Sequence, residues 1–522
     1  MTWDRNAPYK AESKKIVWEV APYLRGRGLD IGAGDFKVLP HAISVDNMNH
    51  AQFGFSIRPD VLADADNLSV FSSQSMDFVY SSHTLEHIAD YEKALAEWFR
   101  VVKIGGYMVL YLPDEDEYPK VGEPGANTDH KWNVNYAKVV DAMKKIKGWD
   151  LVNFQRRNQD DEYSLLFVFK KINSQKFLFS YQTPKPEKTA CVVRYGAFGD
   201  MIQASGVWAE LKNQGYHVTV FSSLPGAEVV RHDPNIDNLV LFDKDQIPNA
   251  NLVDFWDYQR KKFTKFVNLS ESVEGTLLAM QGRAVAYYPP KLRHKLMNFN
   301  YVEQQHEIAQ VPYTSPKTKF FDTPDEREWA TKTRRKMGDG PVILWSLAGS
   351  AVHKTWAGLD HAIARILLDY PTSRVVLVGG PECVILESGW ENEPRVICKS
   401  GKWTIRESLA FMRCADLVIG PETGVLNAAS MESMPKVIFL SHSTNENLTR
   451  DWVNTTALFS ESTCCPGRGN NEAEACHFLH YNWQFCKQDS ESGVAQCQAD
   501  ISVDQAWAPI KGYLSSYSAP GK

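Results

Sequence analysis

Cys191-Val-Val-Arg-Tyr-Gly-Ala-Phe-Gly-Asp200 is a short apolar run that ends in a glycine-rich turn and opens into a helical pattern. Ile419-Gly-Pro-Glu-Thr-Gly-Val425 has the same design more than two hundred residues later. A third turn of this type, Leu29-Asp-Ile-Gly-Ala-Gly-Asp35, stands near the start. Strand ends of this kind present backbone N–H groups, the donors that a diphosphate needs. Three such loops predict two functional units and two group-transfer activities in one polypeptide.

Working outward, apolar strand-like runs alternate with helical patterns on both sides of each turn. In the first unit the expected strands are 27–31, 42–46, 76–81, 105–112 and 165–171, with helices over 91–102 and 139–146. Such alternation implies a mostly parallel sheet with helices on both faces. Ser180-Tyr-Gln-Thr-Pro-Lys-Pro-Glu-Lys188 has two prolines and no apolar period, so 172–188 is expected to be a linker. Alternation then restarts with strands at 191–194, 217–222 and 266–269 and a helix at 201–214. A second break over 322–340 precedes a last unit, with strands at 342–346, 374–379 and 417–419. The predicted layout is residues 1–175, a linker 176–188, a lobe 189–335 and a lobe 336–522. Its final helix, 503–513, puts Trp507, Ile510 and Leu514 on one face.

The chain has 522 residues and 43% hydrophobic content, enough for about three cored bodies. Its net charge of −6 and the lack of any long basic block argue against a nucleic-acid surface, though not decisively. No stretch has the ~18 apolar residues of a membrane span, and the N-terminus lacks an apolar leader core. Nine cysteines, an odd number, favour reduced thiols and a cytoplasmic setting. Cys464, Cys465, Cys476, Cys486 and Cys497 cluster late, with His477 and His480 among them. No Cys-x-x-Cys pair accompanies them, so no metal site is assigned.

In the first unit, Asp30, Gly32 and Gly34 form the strand-end turn. Phe36 and Lys37 follow, with no third glycine, so the full dinucleotide fingerprint is not met. Asp46 closes the next strand, where an acid can accept ribose hydroxyls. Asp64 and Asp66 follow, then Met76-Asp-Phe-Val-Tyr-Ser-Ser-His-Thr-Leu-Glu-His87 and Lys103-Ile-Gly-Gly106. His83 and His87 either serve the site or pack the turn. Asp129-His130 either lines an acceptor pocket or caps a helix. This ordered set resembles class I S-adenosylmethionine-dependent methyltransferases over about residues 1–170. The resemblance implies S-adenosylmethionine as methyl donor, Asp30, Gly32 and Gly34 along its methionine side, Asp46 at its ribose and Asp64 at its adenine, with His83 also among the residues that bind it.

In the later units, Asp200 follows a buried strand at the start of a helix. There it can take a proton from an attacking hydroxyl, or simply cap the helix. Ser346-Leu-Ala-Gly-Ser-Ala-Val-His-Lys-Thr-Trp356 supplies Ser350 and Lys354, and Gly420-Pro-Glu-Thr-Gly-Val-Leu-Asn427 supplies a phosphate-type loop. Together with Gly379-Gly-Pro-Glu382, these resemble the heptosyltransferase family of GT-B glycosyltransferases, family 9, over about residues 188–510. That resemblance implies two Rossmann-like lobes and a nucleotide-diphosphate sugar donor, ADP-activated in the best-known members. It implies Asp200 as base, Lys354 against the leaving diphosphate, and Gly199, Ser350, Glu382, Glu422, Thr423, Gly424 and Asn427 around the donor. Glu422 stands where the family usually has Asp. The basic run Lys291-Leu-Arg-His-Lys295 either grips an acidic acceptor or is a solvated helix face. The expected whole is a bifunctional transferase: inverting, metal-independent sugar transfer to a saccharide or other hydroxyl, with methylation of the same or a related product. The rivals are a sugar transferase on an inactive methyltransferase-like scaffold, and a non-catalytic sugar-nucleotide-binding protein.

Overall fold

The computed structural model of the chain describes residues 11–48, 58–270, 298–314, 318–349, 354–460 and 487–517, with Pro289, Leu292 and Lys295. It is an α/β protein of two compact units. The first comprises Met1–Glu187 and a return segment, Leu241–Phe263; the second comprises Lys188–Val240 and Thr264–Lys522.

The first unit is built on eight strands: β1 (Gly28–Ile31), β2 (Ile43–Asp46), β3 (Val61–Leu62), β4 (Met76–Ser82), β5 (Val102–Pro113), β6 (Trp149–Arg157), β7 (Ser164–Lys171) and β8 (Phe177–Leu178). Their order is β3-β2-β1-β4-β5-β7-β6-β8. Only β7 runs against its neighbours. β1 is buried along its whole length, as a central parallel strand with both faces covered must be. Helix Tyr91–Val101 starts at Asp90, whose carboxylate accepts the Lys93 N–H, and buries Ala94, Leu95, Trp98 and Phe99. Each such large apolar side chain contributes about 1.5–3 kcal/mol on burial.

The stretch 172–188, expected as a linker, supplies β8, which pairs with β6. Phe179 packs edge-on against Trp149, and Tyr181 against Phe154. The aromatic alternation in Phe177-Leu-Phe-Ser-Tyr181 outweighs the prolines that follow. The return segment adds helix Leu252–Arg260 to this unit. Its Gln259 amide donates to the Trp18 carbonyl at 2.7 Å, its Tyr258 hydroxyl to Glu19 at 2.7 Å, and its Phe255 ring meets Trp18 edge-on.

The second unit carries two sheets. One is β9 (Thr189–Val193), β10 (His217–Ser223), β11 (Asn238–Phe242) and β12 (Lys265–Asn268), in the order β11-β10-β9-β12. The other is β13 (Val342–Ser346), β14 (Arg374–Val378), β15 (Val396–Cys398), β16 (Leu417–Pro421), β17 (Lys436–Phe439) and β18 (Thr455–Leu458). Its order is β15-β14-β13-β16-β17-β18, parallel throughout. One core cluster runs through both sheets, joining Val192, Val220 and Trp208 to Leu344, Val418 and Ile438. This is the two-lobed Rossmann-like arrangement that the alternation predicted. Helix Val503–Ser515 starts at Ser502, whose hydroxyl accepts the Gln505 N–H, and it buries Trp507, Ile510 and Leu514.

Among the described residues no helix is long and apolar enough to cross a membrane. Cys191, Cys383, Cys398 and Cys414 are free thiols, and Cys497 is buried. The other late cysteines, His477, His480 and all of the run 291–295 except Leu292 and Lys295 lie outside the described residues.

Candidate functional site

A cavity of about 1010 Å³ opens in the second unit at the carboxyl ends of its strands. The turn after β9 forms one wall with Arg194, Gly199 and Asp200; the turns after β13, β14 and β16 form the other. Asp200 sits in the first turn of helix Phe198–Asn213. One carboxylate oxygen accepts the Ala197 N–H at 2.7 Å, and the other lies 3.1 Å from an Arg194 guanidinium nitrogen. Arg194 is itself buried and donates to the Leu269 carbonyl at 2.8 Å. The carboxylate thus closes its own turn and also lines the cavity, combining the cap and the site readings.

Across the cavity stand Lys354, Glu382, Glu422, Thr423, Gly424 and Asn427. The Lys354 ammonium is buried, donates to the Glu422 carbonyl at 3.3 Å and lies 3.9 Å from the Glu422 carboxylate. Glu422 directs its carboxylate into the protein. One oxygen accepts the Ser441 and Ser443 N–H groups at 2.7 and 3.1 Å; the other lies 2.5 Å from His442 Nδ1. Burial alone would raise its pKa, but the His442 ring, Lys354 and these N–H donors hold it well below the usual range. Glu422 therefore braces the loop after β17 against the loop after β16. Thr423 caps helix Gly424–Ala429, accepting the Leu426 N–H and the Ser346 hydroxyl.

Gly199 and Gly424 let the two walls touch. A Cβ on Gly424 would meet the Phe198 Cβ at 2.7 Å, and one on Gly199 would meet the Asn427 amide at 2.8 Å. Glu382 is exposed at the cavity edge. Ser350 lies outside the described residues. Sequence reasoning missed His442, Ser443 and the Gly401–Thr404 turn, all of which line the cavity. A glycine at 401, just after the apolar run of β15, was the available signal for that turn, and the structure gives it a positive φ.

In the first unit, the β1 turn places Gly32 at φ +71° and Gly34 at φ +52°, conformations that favour glycine. Asp30 is fully buried and accepts the Val38 N–H at 2.7 Å; burial pushes its carboxyl up to about 7. Asp46 ends β2 and accepts the Met48 N–H, and Asp64 accepts the Asn47 amide at 2.9 Å. The positive-φ glycine turn after β1 and the acids that end β2 and follow β3 fit a nucleoside carrying an amino-acid tail. His83 sits at φ +48°, with Nε2 2.9 Å from the Ser164 hydroxyl and its ring against Tyr111 and Tyr163. Its Nδ1 lies 3.8 Å from the Glu86 carboxyl.

Residues 29–110 match the family model described as a methyltransferase domain. No curated protein matches the chain. Among solved structures, a glycosyl transferase family 9 protein from Veillonella parvula aligns at 16% identity and TM-score 0.47, over 64% of this chain and 99% of its own. The ADP-heptose lipopolysaccharide heptosyltransferase II of E. coli aligns at 12% identity and TM-score 0.44, over 63% of this chain and 98% of its own. A candidate methyltransferase from Bacillus halodurans aligns at 12% identity and TM-score 0.24, over 31% of this chain and 99% of its own. The chain thus carries a methyltransferase-domain match in its first unit and, beyond it, a body similar to family 9 glycosyltransferase structures.

Proposed function

We propose that the second unit transfers a sugar from a nucleotide-diphosphate donor to a hydroxyl acceptor, with inversion and without a required metal. The observation that carries this reading is the single cavity that Asp200 and Lys354 both line from opposite walls. The acceptor oxygen attacks the anomeric carbon from the face opposite the diphosphate, and its proton passes to the Asp200 carboxylate. The carbon–oxygen bond to the diphosphate breaks, and Lys354 with the Thr423–Gly424 turn receives the charge that develops there. Glu422 and Arg194 act by holding Lys354 and Asp200 in place.

We further infer that the first unit methylates the same product or a related saccharide. S-adenosylmethionine, when bound, supplies an electrophilic methyl group. Gly32 and Gly34 would allow close backbone approach to its methionine part, and Asp46 and Asp64 would hold its ribose and its adenine.

The test is transfer from a panel of nucleotide sugars, read by product mass with and without S-adenosylmethionine. Asp200→Asn keeps an acceptor for the Ala197 N–H but not the base. It should lower the sugar-transfer rate by about 10²–10⁴-fold while leaving donor affinity unchanged. Transfer at the wild-type rate by this variant would remove the proposed base. A glycosylated product that never gains a methyl mass would remove the second activity.

A further inference from the structure

Glu86 is a buried ionisable group of the first unit, at the turn after β4. Its side chain is 1% exposed, and neither carboxylate oxygen has a hydrogen-bond partner. A buried carboxylate left so costs several kcal/mol, so the fold has reason to keep it only if something compensates it. Three imidazoles converge on one of its oxygens. His83 Nδ1 lies at 3.8 Å, His130 Nε2 at 3.8 Å and His87 Nε2 at 4.0 Å. These separations are too long for hydrogen bonds. They are close to the spacing of donors around one shared ion: bonds of roughly 2.0–2.2 Å set tetrahedral ligands about 3.3–3.5 Å apart.

We propose that Glu86, His87 and His130, with His83 packed beside them, bind a divalent transition-metal ion, best matched by Zn²⁺. One ligand atom from each of Glu86, His87 and His130 falls within 4.8 Å of the others, so the set has to tighten by only roughly an ångström. The cluster is held from outside. The Lys131 N–H donates to the Glu86 carbonyl at 2.8 Å and the Trp132 indole to the Leu85 carbonyl at 3.1 Å, which pins the His130 loop onto the Leu85–His87 turn. Trp132 also stacks on Tyr91 at 3.9 Å. The contact from His83 Nε2 to Ser164 turns its Nδ1 toward Glu86.

Imidazole donors select zinc and its transition-metal neighbours over magnesium or calcium. Two histidines and one glutamate leave a coordination position free, the pattern of a metal that also takes an exogenous oxygen. The place in the fold says which oxygen. Thr84, between the ligands, is the side chain a Cβ on Gly32 would strike, so the cluster borders the glycine turn at the ends of β1 and β4. A hydroxyl or vicinal diol of the methyl acceptor would bind there. That use rests on the methyltransferase reading; ion binding does not.

The test uses the full chain, stripped by chelator and titrated with Zn²⁺ alone by calorimetry and elemental analysis. Glu86→Gln should bind one equivalent fewer than the wild type, whatever the late cysteines bind. Zn²⁺ should raise the melting temperature of the wild type but not of the variant. Without metal the variant should melt no lower than the wild type, because the side chain it replaces makes no hydrogen bond that could be lost; this separates a lost ligand from a lost fold. Co²⁺ substitution should give visible d–d bands that vanish in Glu86→Gln and in His87→Ala with His130→Ala. Equal Zn²⁺ stoichiometry, or an equal thermal shift, in wild type and Glu86→Gln would overturn the assignment. No methyl donor enters the assay, so its failure is distinct from failure of the methyltransferase reading.

Discussion

The Gln203 side-chain amide donates to the Asn427 Oδ1 at 2.9 Å, joining positions 224 residues apart in the sequence. Asn427 in turn donates to the Thr423 carbonyl at 2.9 Å. One amide thus couples the helix that begins at Asp200's turn to the turn at the opposite wall. Asn427→Ala leaves the buried Gln203 amide without its acceptor and should cost about 1–3 kcal/mol of stability in the second unit. Gln203→Ala in that background should add little, because the partner is already gone. Urea unfolding of the two single variants and the double variant checks this; additive losses would mean the bond couples nothing.

Gly32 is the position in the first unit where glycine is most strictly required. Its φ is +71°, and an added Cβ would fall 2.0 Å from the Thr84 hydroxyl. Gly32→Ala should destabilise the first unit by more than ~1 kcal/mol, since the native conformation is incompatible with a side chain. It should also abolish S-adenosylmethionine binding by calorimetry. Thr84→Ala in the same background should recover part of the stability but not the binding, because the backbone strain persists.

Asp30 gives the first unit a pH signature with a definite sign. Burial raises its carboxyl from 3.8 to about 7. Between those values the folded chain keeps a proton that the unfolded chain has released. Stability therefore falls as pH rises from about 4 to about 7, by up to about 1.4 kcal/mol per pH unit, and is level above. Asp30→Asn should remove this slope. Urea midpoints at pH 4.5, 6 and 8, taken as the difference between wild type and variant, read it directly; a difference that stays constant with pH would contradict it.

The readable parts of the sequence were those whose chemistry is local. The β9 and β16 turns announced themselves because an apolar run, a glycine and a helix start fall within a dozen residues, and each lies where it was expected; the β1 turn has the run and the glycines, but the chain passes on to β2 at Ile43 with no helix between. β6 did not: Trp149-Asp-Leu-Val-Asn-Phe-Gln-Arg-Arg157 mixes polar and apolar residues because most of its positions are only partly buried. β17 and β18 are four residues each, too short for a period to emerge. Within the sites, what stayed hidden is what the fold brings together. His83, Glu86 and His87 were visible as a motif, but His130 arrives through a loop hydrogen-bonded across to Glu86. Glu422 was placed with the donor ligands because of its neighbours Thr423 and Gly424. Only the return of Ser441, His442 and Ser443 to its carboxylate identifies it as a brace.

That brace explains why position 422 needs a glutamate rather than the shorter acid. The carboxylate must reach two N–H groups on the loop after β17 while keeping Lys354 within 3.9 Å. Glu422→Asp shortens the side chain by a methylene and should lose those N–H contacts. Glu422→Gln keeps an acceptor but leaves the buried His442 and Lys354 without their counter-charge. Removing one partner of a buried charged set costs about 3–5 kcal/mol, so Glu422→Gln should be strongly destabilised near neutrality. The sign with pH follows from its depressed pKa. The stability that Glu422 contributes is complete above its unfolded value of about 4.5 and is lost as pH falls through its lower folded value. The gap between wild type and Glu422→Gln should therefore be widest at pH 6–8 and narrow below pH 4. Thermal melts of both proteins across that range test it, and a gap that widens in acid would show that the carboxylate is not charged in the fold.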